Sequence, residues 1–103
     1  MDKKAALKAV RIFSKMVRSR FAVNKIVLFG SFARGRPRED SDIDIAVILQ
    51  KEPENLLNAE AELYRIGREI DARIEPILVE EKRDPSGFWE EISKYGKVVY
   101  KGI

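Results

Sequence analysis

Gly30-Ser31 is followed, eleven residues after the serine, by Asp42-Ile43-Asp44. A turn able to cradle phosphate thus precedes a carboxylate pair able to hold a cation, and those are the parts from which phosphoryl chemistry is built. Gly30 lets the backbone turn sharply and approach a ligand, and Ser31 offers a hydroxyl. Ala33 and Arg34 can begin a helical turn whose free N–H groups face an anion. Strand side chains alternate, so Asp42 and Asp44 point to one face while Ile43, Ile45 and Val47 point to the other. Two carboxylates within one strand repeat repel each other in a dry site unless a cation lies between them. Hard oxygen ligands of this kind suit Mg²⁺ or Mn²⁺.

Each half of the pattern has a plainer reading. A Gly-Ser turn is common, and an Asp-Ile-Asp-Ile alternation describes any amphipathic strand with a solvated face. Their spacing favours the chemical reading, since the apolar block Ile26-Val27-Leu28-Phe29 reads as a buried strand that stops at Gly30. Arg34, Arg36 and Arg38 fit a solvated basic loop as well as a ligand clamp.

Several other chemistries are excluded. The chain has no histidine and no cysteine, which removes Ser-His-acid triads, zinc sites, haem attachment and thiol catalysis. Ser31 is not in a Gly-x-Ser-x-Gly elbow, and the turn lacks the Lys-Ser/Thr ending of a P-loop.

Gly30-Ser31-x-Ala33-Arg34-Gly35 followed by Ser41-Asp42-x-Asp44 resembles the nucleotidyltransferases of the DNA polymerase beta superfamily, and within it the minimal nucleotidyltransferases, which are of similar length. The resemblance implies that Gly30, Ser31 and Arg34 bind the phosphates of ATP and that Asp42 and Asp44 bind metal. It also implies a third carboxylate on a later strand, a place that Glu75 fits within Arg73-Ile74-Glu75-Pro76-Ile77-Leu78-Val79. The family's usual residue there is aspartate; glutamate is longer by one methylene, a displacement to which catalysis is sensitive. Two Mg²⁺ ions, with Mn²⁺ as a substitute, would be held by Asp42, Asp44 and Glu75, and the catalytic residues would be these same three. The reaction implied is in-line displacement at the α-phosphorus of a nucleoside triphosphate.

The resemblance further implies a partner, because a chain this short has no domain of its own to present an acceptor. In the minimal group that partner is a small helical HEPN toxin, silenced by AMP placed on a tyrosine, so the leading expectation is an ATP-dependent protein adenylyltransferase acting as antitoxin. Two alternatives stand beside it: a non-catalytic nucleotide-binding antitoxin that works by contact, motivated by Glu75, and a nucleotidyltransferase acting on RNA or a small molecule. A homodimer and a nucleic acid are secondary partner expectations.

The elements needed to position these residues are also legible. Leu7, Val10, Phe13, Val17 and Phe21 recur at helical spacing beside a separate basic stripe of Lys4, Lys8, Arg11, Lys15 and Arg18. The stripe is most simply a solvated face, although a sequence pI near 9.3 favours acidic partners. Pro53 and Asn55 introduce a second helix with Leu56, Ala59, Leu63, Ile66 and Ile70 on one side. Pro76 suggests that the Glu75 strand lies at an edge or is irregular beside the site. Asp84-Pro85 would start a short helix carrying Phe88, Trp89 and Ile92, ended by Gly96, with Lys97 to Tyr100 as a last strand. Phe88, Trp89 and Tyr95 are assigned to the core in preference to a dimer or partner contact.

The expected fold is therefore α/β (α+β), a small mixed sheet with helices mainly on one face, the polymerase beta palm-like nucleotidyltransferase fold. With 103 residues, 45% hydrophobic and 36% charged, residues 1–103 should form one soluble nucleotidyltransferase domain. No apolar run reaches membrane-spanning length and the start lacks a signal-peptide pattern, so the expected location is the cytoplasm.

Overall fold

Alternation along the central strands decides the layering. In the computed structural model, which describes residues 3–30, 32, 33, 35, 42–79 and 88–102 (the side chains of Lys3, Phe88, Trp89, Glu91 and Ser93 excepted), the order is α1 (Lys3–Arg20), β1 (Val23–Phe29), β2 (Ile43–Leu49), α2 (Leu56–Ile70), β3 (Ile74–Leu78), α3 (Phe88–Tyr95) and β4 (Lys97–Lys101). The strands form one mixed sheet in the order β3-β2-β1-β4, with β1 antiparallel to both β2 and β4 and β2 parallel to β3.

On one face Ile26, Leu28, Ile43, Ile45, Val47 and Ile74 meet Val10, Phe13 and Val17 of α1 and Leu63 and Ile66 of α2 in the main core. On the other, Val27, Phe29, Ala46 and Ile48 pack with Ile92 of α3 in a smaller cluster. Two helices on one face and one short helix on the other give the expected mixed α/β architecture. No described helix is long and apolar enough to cross a membrane.

Local chemistry accounts for the element ends. The Asn55 side chain accepts a hydrogen bond from the Asn58 N–H at 3.0 Å, capping α2 where the sequence placed its start. Gly96 N–H donates to the Ile92 carbonyl at 2.7 Å and closes α3. Pro76 is explained by bonding phase. Ile43 N–H donates to the Arg73 carbonyl and Val79 N–H to the Val47 carbonyl, so the odd-numbered residues of this stretch face β2. The donor that Pro76 lacks would have pointed off the sheet edge, which β3 indeed forms.

Two sequence expectations are corrected. Leu56 is 53% exposed, because the packed part of α2 begins one turn later at Ala59. Tyr95 is 44% exposed rather than in the core: it is the last residue of α3, with the Lys94 ammonium 5.5 Å from its ring centroid. The Asp84-Pro85 start lies outside the described residues, as do the side chains of Phe88 and Trp89.

Candidate active site

Phe29 pairs with Asp44 across the antiparallel β1–β2 ladder, and Asp44 pairs with Glu75 across the parallel β2–β3 ladder. Directly paired residues share a face, and the face here is that of Ala46, Ile48 and Ile77, opposite α1 and α2. The end of β1, the start of β2 and the start of β3 therefore bring the Gly30 turn, Asp44 and Glu75 together, with Asp42 one strand repeat from Asp44. Three elements far apart in sequence converge on one rim of the sheet.

Gly30 has φ +75°, a left-handed conformation that glycine adopts without strain. A Cβ there would run into Asp44 Oδ2 and stand 3.1 Å from its Cγ. The glycine thus serves both the turn and the space occupied by the carboxylate. Gly35 shares the same φ, and its N–H donates to the Phe32 carbonyl at 3.3 Å. Phe32 and Ala33 are buried, anchoring the stretch after the turn. Ser31, Arg34, Arg36, Arg38 and Ser41 lie outside the described residues.

Asp44 is half-buried, and its pKa is raised, first by burial and then by the charges of Asp42 and Glu75. The charges of Asp42 and Glu75 thus both bear on Asp44, which is a cost in the absence of a cation. One Glu75 oxygen, Oε1, accepts from Arg68 Nη2 at 3.4 Å. Arg68 reaches round the β3 edge from α2; it also donates to the Tyr64 hydroxyl and the Ala72 carbonyl, and its guanidinium lies 4.6 Å from the Tyr64 ring centroid. Its pKa is raised, chiefly by the hydrogen bond to Tyr64. Sequence reasoning missed this pair. The i,i+4 spacing of Tyr64 and Arg68 is visible in the sequence, but the proximity of Arg68 to Glu75 depends on how α2 crosses β3.

Among the described residues no three acidic side chains are gathered closely enough to form a ready metal group. The donor set nevertheless fits a hard divalent cation. All three donors are carboxylates, their mutual repulsion falls when a cation is added, and Gly30 leaves Asp44 room on the side where a side chain would block it.

The mixed sheet, with its glycine turn against a carboxylate on a central strand, has the arrangement expected of a nucleotidyltransferase. The chain belongs to the Polymerase beta nucleotidyltransferase family, whose model matches residues 12–102. It is 46% identical over 50 residues to the protein adenylyltransferase MntA of Thermococcus cleftensis, a match spanning 48% of this chain and half of that protein's length. It is 30% identical over 96 residues to a candidate protein adenylyltransferase of Methanocaldococcus jannaschii, covering 90% of this chain and 96% of the relative. Among solved structures, a candidate minimal nucleotidyltransferase is 28% identical with a TM-score of 0.67, covering 94% of this chain and 95% of that one. A chain of the complex between the tri-AMPylated HEPN toxin of Shewanella oneidensis and its MNT antitoxin shares the fold at a TM-score of 0.67 and 19% identity, over 98% of this chain and 74% of that one.

Proposed function

We propose that this chain is the antitoxin of a HEPN toxin pair and transfers AMP from ATP to a hydroxyl of its partner, a tyrosine of the toxin. The observation that carries the reading is the register that aligns Phe29, Asp44 and Glu75 across three strands beside the Gly30 turn. The names of the Thermococcus and Methanocaldococcus relatives support the reaction, and the Shewanella complex supports the partner.

In this reading Gly30, with Ser31 and Arg34, receives the triphosphate, and Asp42, Asp44 and Glu75 would hold Mg²⁺ or Mn²⁺. When bound there, a divalent ion supplies charge neutralisation for the phosphates and acidifies a coordinated hydroxyl. The acceptor oxygen forms a bond to the α-phosphorus as the bond to pyrophosphate breaks. The hydroxyl proton leaves to a base, for which the Glu75 oxygen not engaged by Arg68 is the candidate. Intact-mass analysis of the chain and its toxin after incubation with ATP and Mg²⁺ tests the proposal. An added adenylyl group on the toxin, absent with Asp42→Asn/Asp44→Asn, is the expected result, and an unchanged toxin mass would refute transfer.

One observation favours a second reading, a non-catalytic antitoxin acting by contact. Arg68 engages Glu75, and no ready three-carboxylate group stands among the described residues. Protection of cells by the Asp44→Asn variant would select this reading, and loss of protection would reject it.

A further inference from the structure

Helix α1 holds seven of the chain's 20 cations and none of its 17 acids, so the rest of the chain is net negative. The positive charge is concentrated in one layer, on the side of the sheet opposite the candidate site. Lys4, Lys8, Arg11 and Lys15 are all exposed, and among the described residues none of them has an ion-pair partner. At 100° per residue the four fall within an arc of about 60°, spaced by about 4.5–6 Å along the axis. Ile12, 42% exposed, lies at the margin of the row.

A helix that needed only to be soluble would mix its charges, and the other long helix of this protein does so. On α2, Arg65 meets Glu62 at 3.4 Å and Glu69 at 3.8 Å, pairs of i,i+3 and i,i+4 spacing that support a helix. On α1 the same spacings join like charges, Lys4 to Lys8, Lys8 to Arg11 and Arg11 to Lys15, and the first turn contains no acid to complement the helix dipole. Each of these features opposes folding of α1. Arg18 and Arg20, at the C-terminal end, are by contrast engaged: Arg18 stacks on Tyr100 with 4.3 Å to the ring centroid, and Arg20 pairs with Glu62 at 2.9 Å. The unneutralised row is therefore confined to the first four turns.

We propose that the solvent face of α1 binds the sugar-phosphate backbone of a nucleic acid, independently of base sequence. A regular polyanion satisfies a row of evenly spaced cations on a rigid helix, and three of the four are lysines, point charges suited to phosphate, with no aromatic ring or side-chain amide in the row.

Fluorescence anisotropy of a labelled mixed-sequence RNA of about 20 nucleotides, titrated with the full chain between 50 and 200 mM salt, tests this. Four phosphate contacts should give a slope of about −2.8 in log affinity against log salt. Lys8→Glu/Lys15→Glu should weaken binding at least tenfold at 50 mM salt and make the slope shallower by one unit or more. Because the reversal introduces favourable pairs on α1, its melting temperature should equal or exceed that of the unsubstituted chain, which separates lost binding from lost folding. Asp42→Asn/Asp44→Asn should retain RNA binding whether or not the chain transfers nucleotides. Absence of binding at 50 mM salt, equal binding by the charge-reversed variant, or capture of polyglutamate without RNA binding, which would indicate an acidic protein partner, would each overturn the proposal.

Discussion

Gly30 and Asp44 are packed so closely that a single methyl group on the first would collide with the carboxylate of the second. The contact sets the Gly30 turn directly against the strand that carries Asp44, so neither can approach the other more closely. Gly30→Ala incurs both backbone strain at φ +75° and this collision, whereas Gly35→Ala incurs strain at the same φ with no atom of the described residues within 4 Å of the added carbon. Urea denaturation should show a loss of about 1 kcal/mol for Gly35→Ala and about 2–4 kcal/mol for Gly30→Ala. Equal losses would mean that Asp44 yields freely.

Asp44 should make the metal-free protein less stable. Its pKa is raised above the ordinary 3.8, so the folded state binds that proton more tightly than the unfolded chain does. Ionised Asp44 therefore weakens folding at neutral pH, and the penalty is relieved as pH falls through the raised value towards the ordinary one. In chelator at pH 7, Asp44→Asn should melt about 2–5 °C above the unsubstituted protein, with the gap closing near pH 4. Added Mg²⁺ or Mn²⁺ should raise the melting temperature of the unsubstituted protein and leave the variant nearly unchanged. Differential scanning fluorimetry across pH reads both effects.

Gly67 lies inside α2, where helix propensity alone would favour alanine by about 1 kcal/mol. Packing reverses the sign, since the added Cβ would stand 2.9 Å from Ile74 Cγ2 and 3.3 Å from Ile74 Cβ, and Ile74 is fully buried. Gly67→Ala should cost about 1–2 kcal/mol in chemical denaturation. It should also displace α2 from β3, and with it the Arg68 contact to Glu75.

Ser14 of α1 faces the protein interior at 2% exposure, and among the described residues its hydroxyl has no hydrogen-bond partner. Leaving a buried hydroxyl unsatisfied costs about 1–3 kcal/mol. Ser14→Ala should therefore stabilise the protein by about 1 kcal/mol, read as a higher urea midpoint with an unchanged slope.

The sequence by itself determined the elements and the chemical types at the site. Apolar periodicity located α1 and α2, the strand–glycine–strand pattern located β1 and β2, and Asn55, Pro76 and Gly96 marked ends and an edge, because these signals are local and act over one turn or one strand repeat. The tertiary structure decided what local signals cannot encode. Strand order and register placed Glu75 directly beside Asp44 although 31 positions separate them in the chain, and the crossing of α2 over β3 brought Arg68 to Glu75. Exposure of Leu56 and Tyr95 likewise depended on where each helix leaves the sheet, which hydrophobic character does not specify. Side-chain type follows from sequence, but distance between remote residues follows from how the layers pack, and the candidate site is made of such distances.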